Sequence, residues 1–127
     1  MCTGLGLDLC EISRMEQLIA DDHFLNRFFT LGEITYIRGK GRVGAQSMAG
    51  IFAAKEALGK ALGIGITYEL REAEVLHSPE GRPYYVFHGA LKETTGKDRF
   101  LLSITHDGGM AAAVCLRESE DLACQEG

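Results

Sequence analysis

A chain of 127 residues, 46% apolar and 24% charged, has the size and composition of one soluble globular domain built on a single core. Its 18 acidic and 13 basic side chains leave a formal charge of −5, the wrong balance for a protein that works by neutralising nucleic-acid phosphates. No apolar run approaches the ~20 residues of a membrane helix, and no signal-like segment opens the chain, so a cytoplasmic, reducing setting is expected, with Cys2, Cys10, Cys115 and Cys124 as free thiols.

The charge is unevenly spread. Between Arg27 and Lys60 six basic side chains face only Glu33 and Glu56, whereas the stretch from Arg71 onward is net acidic. Residues 117–127, with Glu118, Glu120, Asp121 and Glu126 against Arg117, read as a solvated acidic tail on a single domain spanning the whole chain.

In chain order, Thr3 to Leu9 alternates Thr3, Leu5, Leu7 and Leu9 on one face with Gly4, Gly6 and Asp8 on the other, the period of a strand. Asp8 therefore shares a face cleared of side chains. Ser13 and Glu16 occupy capping-box positions for a helix with Met15, Leu18 and Ile19 as its apolar stripe. A second helix is predicted over Gly32 to Ile37, and glycines at 39, 41 and 44 interleaved with Lys40 and Arg42 predict a flexible basic loop. Gln46 to Leu62 is an alanine-rich helix that Gly63 ends. Two hairpins follow, Ala73–His77 with Tyr84–His88 and Phe100–Thr105 with Met110–Arg117, separated by a short helix over Gly89–Thr95. The fold class is α+β with an antiparallel sheet, its helices mainly in the N-terminal half.

Three polar features are out of place in a purely structural sequence. Asp8 is a carboxylate inside an apolar strand, where a charge needs a partner or a cation; it could also cap the helix that follows. Glu56 projects from a helix face shared with Phe52, Ala49, Gly59 and Gly63, open to close approach by a ligand or backbone; with Lys60 it could equally form an exposed pair worth only ~0.3–0.5 kcal/mol. Gly59 costs about 1 kcal/mol relative to alanine inside a helix, and so requires a reason. His106 closes Ser103-Ile104-Thr105-His106 at a glycine-rich turn, as a polar turn residue or a ligand contact. Two carboxylates from separate elements, with lysines and a histidine, suit Mg2+ and a phosphate-bearing ligand. No phosphate-binding loop or dinucleotide fingerprint is present. A magnesium-dependent phosphohydrolase and a non-catalytic binding module remain alternatives on these residues alone.

The ordered set Gly4-Leu-Gly-Leu-Asp8-Leu-Cys-Glu-Ile-Ser-Arg14, Arg27-Phe-Phe-Thr30 with Glu33 and Tyr36, Ala49-Gly-Ile-Phe-Ala-Ala-Lys-Glu56-Ala-Leu-Gly-Lys60-Ala-Leu-Gly-Ile-Gly65, Gly81-Arg-Pro83 and Ser103-Ile-Thr-His106 resembles the holo-acyl-carrier-protein synthases, the short phosphopantetheinyl transferases of fatty-acid synthesis. The resemblance implies that fold, a homotrimer with sites at subunit boundaries, and Mg2+ held by Asp8 and Glu56. It implies transfer of 4′-phosphopantetheine from coenzyme A to a serine of apo-acyl carrier protein, releasing adenosine 3′,5′-bisphosphate. Asp8, Glu56 and Lys60 would be catalytic. Lys60 would neutralise pyrophosphate charge and His106 would contact ligand phosphate. Arg14, Met15 and Arg27 would dock the acidic carrier. The family usually has Arg where this chain has Ile51, so that a phosphate of coenzyme A would fall to Lys55, Lys40 or Arg42, or be bound less tightly.

Overall fold

The computed structural model describes residues 1–119. Most of the expected acidic tail, from residue 120 on and with Cys124, lies outside the described residues. The elements are β1 (Cys2–Glu11), α1 (Ile12–Leu18), α2 (Asp22–Phe28), α3 (Leu31–Gly39), α4 (Gly44–Leu62), β2 (Ala73–His77), β3 (Pro83–Phe87), α5 (Gly89–Thr95), β4 (Arg99–Asp107) and β5 (Met110–Glu118). The fold is α+β as expected, with an antiparallel sheet in the order β1-β5-β4 and a separate β2–β3 hairpin.

Helix α4 is the centre of the molecule. Its alanines and glycines let β1 and β5 approach closely; Ala49, Ala53, Ala54, Ala57 and Leu58 are wholly buried. A Cβ on Gly6 would collide with the Ala57 carbonyl oxygen, and one on Gly4 with that of Ala61. The two glycines therefore bring β1 onto the backbone of α4, and Asp8, two residues on along the same face, lands beside Glu56. Gly59 is explained similarly: its Cα face abuts the backbone of Gly65, whose N–H, with that of Ile64, bonds to the Gly59 carbonyl at 3.0 Å. Its partner is thus the chain's own backbone.

The opposite face of the sheet carries the leucines outward. Register places Leu5, Leu116 and Leu101 in one row and Leu7, Val114 and Ser103 in the next. Leu5, Leu7 and Leu9 are each about 60% exposed, so this apolar face is not part of the chain's own core.

Several local expectations change. Helix α1 starts at Ile12 with Glu11 at its N-cap and no side-chain cap, so Ser13 does not cap it and neither does Asp8. Helix α2, unanticipated, is capped by Asp21 through the Phe24 N–H at 3.1 Å. The capping box belongs to α3, where the Thr30 hydroxyl accepts from Glu33 N and Glu33 accepts from Thr30 N. The basic loop contracts to one 3-10 turn, Gly41–Val43, leading directly into α4. The hairpin spans are close to those predicted; Gly108 and Gly109 close the second with φ of 57° and 80°, values that need glycine.

Candidate active site

Asp8 from β1 and Glu56 from α4 meet on the buried side of the sheet, their carboxyl groups within hydrogen-bonding reach. Burial, that contact and the charge of Asp8 push Glu56 up to about 7, against weaker relief from Arg14 and Lys60. The Lys60 ammonium donates to Asp8 Oδ1 at 3.1 Å and to the Leu7 carbonyl at 3.0 Å. Lys60 thus turns across to β1; the exposed Glu56–Lys60 pair that its spacing allowed is not what forms. Asp8 Oδ2 is buried and has no hydrogen-bond partner.

Those facts test the site for a cation. Two ionised carboxylates cannot donate to each other, so the orphaned oxygen and the raised Glu56 both call for a proton or a metal ion between them. No group of three or more metal-ligating side chains gathers among the described residues, and two carboxylates match Mg2+, which keeps several waters and takes substrate phosphate oxygens. The donor set fits.

Beside Glu56, one turn back on α4, Phe52 helps to line a cleft of about 370 Å³ with Arg14, Arg27, Phe24, Phe28 and Ile66. Arg14 stands 5.5 Å over the Phe52 ring and Arg27 5.3 Å over Phe28, which presents two cations on an aromatic floor. Arg14 and Arg27, both expected to dock a carrier, line this one cleft. Met15 is not: its side chain is fully buried, because the α1 stripe packs inward, and apolar contact at this surface falls to Phe24, Phe28 and Ile66 instead.

Lys55 is also corrected. It is completely buried and gives its three N–H bonds to Glu33 Oε1 at 3.0 Å, the Leu70 carbonyl at 2.8 Å and the Ala73 carbonyl at 2.7 Å. No donor is left for coenzyme A. Burial pushes Glu33 up and Lys55 down, and their mutual attraction opposes both. Ile51 is buried as well.

His106 lies elsewhere, at the end of β4, its Nε2 3.0 Å from the Gln46 amide nitrogen. Both line a cleft of about 230 Å³ with Ser47, Gly50, Pro83, Tyr36 and His77. Tyr36 stacks on His77 with centroids 4.1 Å apart, and the Lys40 ammonium sits 4.8 Å over Tyr36. Burial and the Lys40 charge push His77 below its ordinary range. Lys40 is thus near the His106 cleft; Arg42 stands exposed in the turn before α4. Gln46 and His77 carried no signal in the sequence, since only the packing of α4, α3 and the β2–β3 hairpin brings them together.

The described residues include no helix long and apolar enough to cross a membrane. The family model described as the 4′-phosphopantetheinyl transferase superfamily matches residues 4–115. A holo-[acyl-carrier-protein] synthase of Treponema denticola is 43% identical over 93% of this chain and 99% of that protein. The crystal structure of the synthase of that name from Neisseria meningitidis superposes with a TM-score of 0.82 at 28% identity, over 94% of this chain and 100% of that one. One from Bacillus anthracis, described in complex with CoA (3′,5′-ADP), gives a TM-score of 0.80 at 32% identity, over 94% of this chain and 99% of that one.

Proposed function

Because the chain belongs to the 4′-phosphopantetheinyl transferase superfamily, we propose that it transfers 4′-phosphopantetheine from coenzyme A to a serine hydroxyl of apo-acyl carrier protein, in a Mg2+-dependent step of fatty-acid synthesis. The observation that carries this reading is the carboxylate pair: Asp8 Oδ2 buried without a partner, against a Glu56 pushed up to about 7.

Asp8 and Glu56 would hold the ion, which supplies positive charge to the pyrophosphate and drains electron density from the phosphorus under attack. Lys60 spends two N–H bonds on Leu7 and Asp8 and has a third for a phosphate oxygen, where it offsets charge that builds on the leaving group. Its half-exposed side chain lets it reach a ligand without leaving Asp8. The Gln46–His106 pair and Lys40 offer polar and cationic contacts for the nucleotide end of coenzyme A. Arg14 and Arg27, on their aromatic floor, suit an acidic carrier helix and would speed and orient its encounter.

Support for a homotrimer comes from the outer face of the sheet. Leu5, Leu7, Leu9, Leu101 and Val114 are all exposed, and a continuous apolar face of this kind is a surface to be covered. The central test is to incubate the protein with an apo-carrier, coenzyme A and Mg2+ and weigh the intact carrier. The expected result is a mass gain of one 4′-phosphopantetheine, absent without Mg2+. A carrier left unmodified at any enzyme concentration, or coenzyme A cleaved to free 4′-phosphopantetheine without one, would overturn the reading.

A further inference from the structure

The buried Glu33–Lys55 pair has no part in the chemistry above, yet Lys55 is the residue next to Glu56. Its ammonium reaches Leu70 and Ala73 on one side and Glu33 on the other. Glu33 in turn accepts from Thr30 N at 2.8 Å and Val75 N at 2.7 Å. One pair therefore ties α3, α4 and β2 to the segment that precedes β2. The Lys55 carbonyl accepts the Tyr68 hydroxyl at 2.6 Å, and Tyr68, Glu69 and Leu70 form the wall of the cleft that contains Arg14 and Phe52.

Stability alone does not call for this arrangement. A fully buried ion pair seldom outdoes an apolar pair of the same volume, since desolvation cancels most of the attraction. What the pair does supply is direction. Hydrogen bonds from three quarters fix the rotation of α4 about its axis at Lys55, and so at Glu56. A rotation of about 20° would swing a carboxylate at the ~6 Å outer radius of a helix by about 2 Å, the length of a whole Mg–O bond.

We infer that Glu33 and Lys55 are positioning residues that hold the turn of α4 aiming Glu56 at Asp8 in register with the 66–70 wall of the neighbouring cleft. The inference rests on the proposed cation site at Asp8 and Glu56. Through it, the cation site and the surface assigned to the carrier share one anchor.

The test compares wild type with the double variant Glu33→Leu/Lys55→Met, which replaces the pair by apolar side chains, using Mn2+ as a spectroscopic stand-in for Mg2+. Folding is followed by near-ultraviolet circular dichroism, Mn2+ affinity by electron paramagnetic resonance without carrier or coenzyme A, and kcat by the mass assay. Groups that orient metal ligands are worth about 10–100-fold in affinity, so a folded double variant should bind Mn2+ at least about tenfold more weakly, with kcat reduced. A folded variant that loses less than about tenfold in Mn2+ affinity would show the pair to be structural only and overturn the inference. If the double variant does not fold, Tyr68→Phe decides instead, because it cuts the wall from Lys55 by removing one oxygen: weaker Mn2+ binding with lower kcat supports the inference, and wild-type values of both overturn it. Wild type in the same assays keeps the two readings apart. Absence of its carrier adduct defeats the transferase reading, whereas the ratio of Mn2+ affinities speaks to the positioning role alone.

Discussion

Gly6→Ala adds one methyl group where β1 meets α4. The new Cβ would overlap the Ala57 carbonyl oxygen and lie 2.8 Å from the Ala57 carbonyl carbon and 2.9 Å from Ala61 N, whereas ordinary contacts begin near 3.4 Å. All three obstacles are backbone atoms of buried residues in the C-terminal part of α4, so no rotamer change relieves them. Strand and helix must part by about an ångström, and the cost belongs at or beyond the upper end of the ~1–3 kcal/mol typical of overpacking. At about 3 kcal/mol that is a large share of a domain's usual ~5–15 kcal/mol, and a fall in Tm of roughly 10 °C. The same displacement carries Asp8 away from Glu56 and Lys60, so transfer should fall further than the folded fraction does. Gly39→Ala is the control: nothing lies within 4 Å of its added Cβ, and on an exposed helix end it should raise stability by about 0.5–1 kcal/mol. Urea melts at one fixed protein concentration, paired with the mass assay on the same samples, measure both quantities. A Gly6→Ala protein as stable as wild type and fully active would refute the account of how β1 is seated.

Glu56→Gln should abolish transfer while raising the melting temperature of the metal-free protein, because it removes the repulsion from Asp8 and gives the buried Asp8 oxygen a donor; a melt in chelator and the mass assay decide it. Proton linkage follows from the same residue. Its folded value, about 7 against an ordinary 4.5, means that the metal-free fold binds a proton the unfolded chain does not, so this group makes the fold lose stability as pH rises through that window and contributes no further change above it. A cation must displace that proton. Calorimetry in buffers of different ionisation heat should find Mg2+ binding that releases close to one proton well below the folded value of about 7 and almost none well above it. Charge reversal at Arg27 should raise the KM for carrier at least about tenfold and weaken its salt dependence, with the KM for coenzyme A unchanged, whereas reversal at Arg14 also withdraws a cation from beside Glu56 and should lower kcat as well. Leu7→Lys places a charge in the exposed apolar face and should yield a monomer in light scattering if that face is the subunit boundary.

Much of this was legible in the residues because it depends on local pattern. The two-residue alternation around Gly4, Gly6 and Asp8 placed the carboxylate on the glycine face, and the structure keeps it there. The span of α4 was readable from its alanines and its closing Gly63, whose φ is 77°. The β2–β3 hairpin and α5 were equally plain from their turn residues. Lys55 and Met15 were misread for one reason: each belongs to a pattern shared by exposed and buried side chains, and only packing distinguishes them. Lys55 beside Glu56 looks like an available cation until Leu70, Ala73 and Glu33 take its three hydrogens. Helix α2 was overlooked because a seven-residue segment of mixed composition has no periodicity to speak of; its stability comes from Leu25 in the core and from the Asp21 cap.

By itself, then, the order of residues determined every element but α2, the strand face that is free of side chains, and the acids and bases that stand ready for phosphate chemistry, since all of these follow from short-range geometry and side-chain type. Tertiary structure alone decided which of those charges face a ligand and which are spent inside. That choice depends on desolvation and on hydrogen bonds between segments distant in the chain: Lys60 reaches across to Asp8, while Lys55, five residues earlier, is locked in the core.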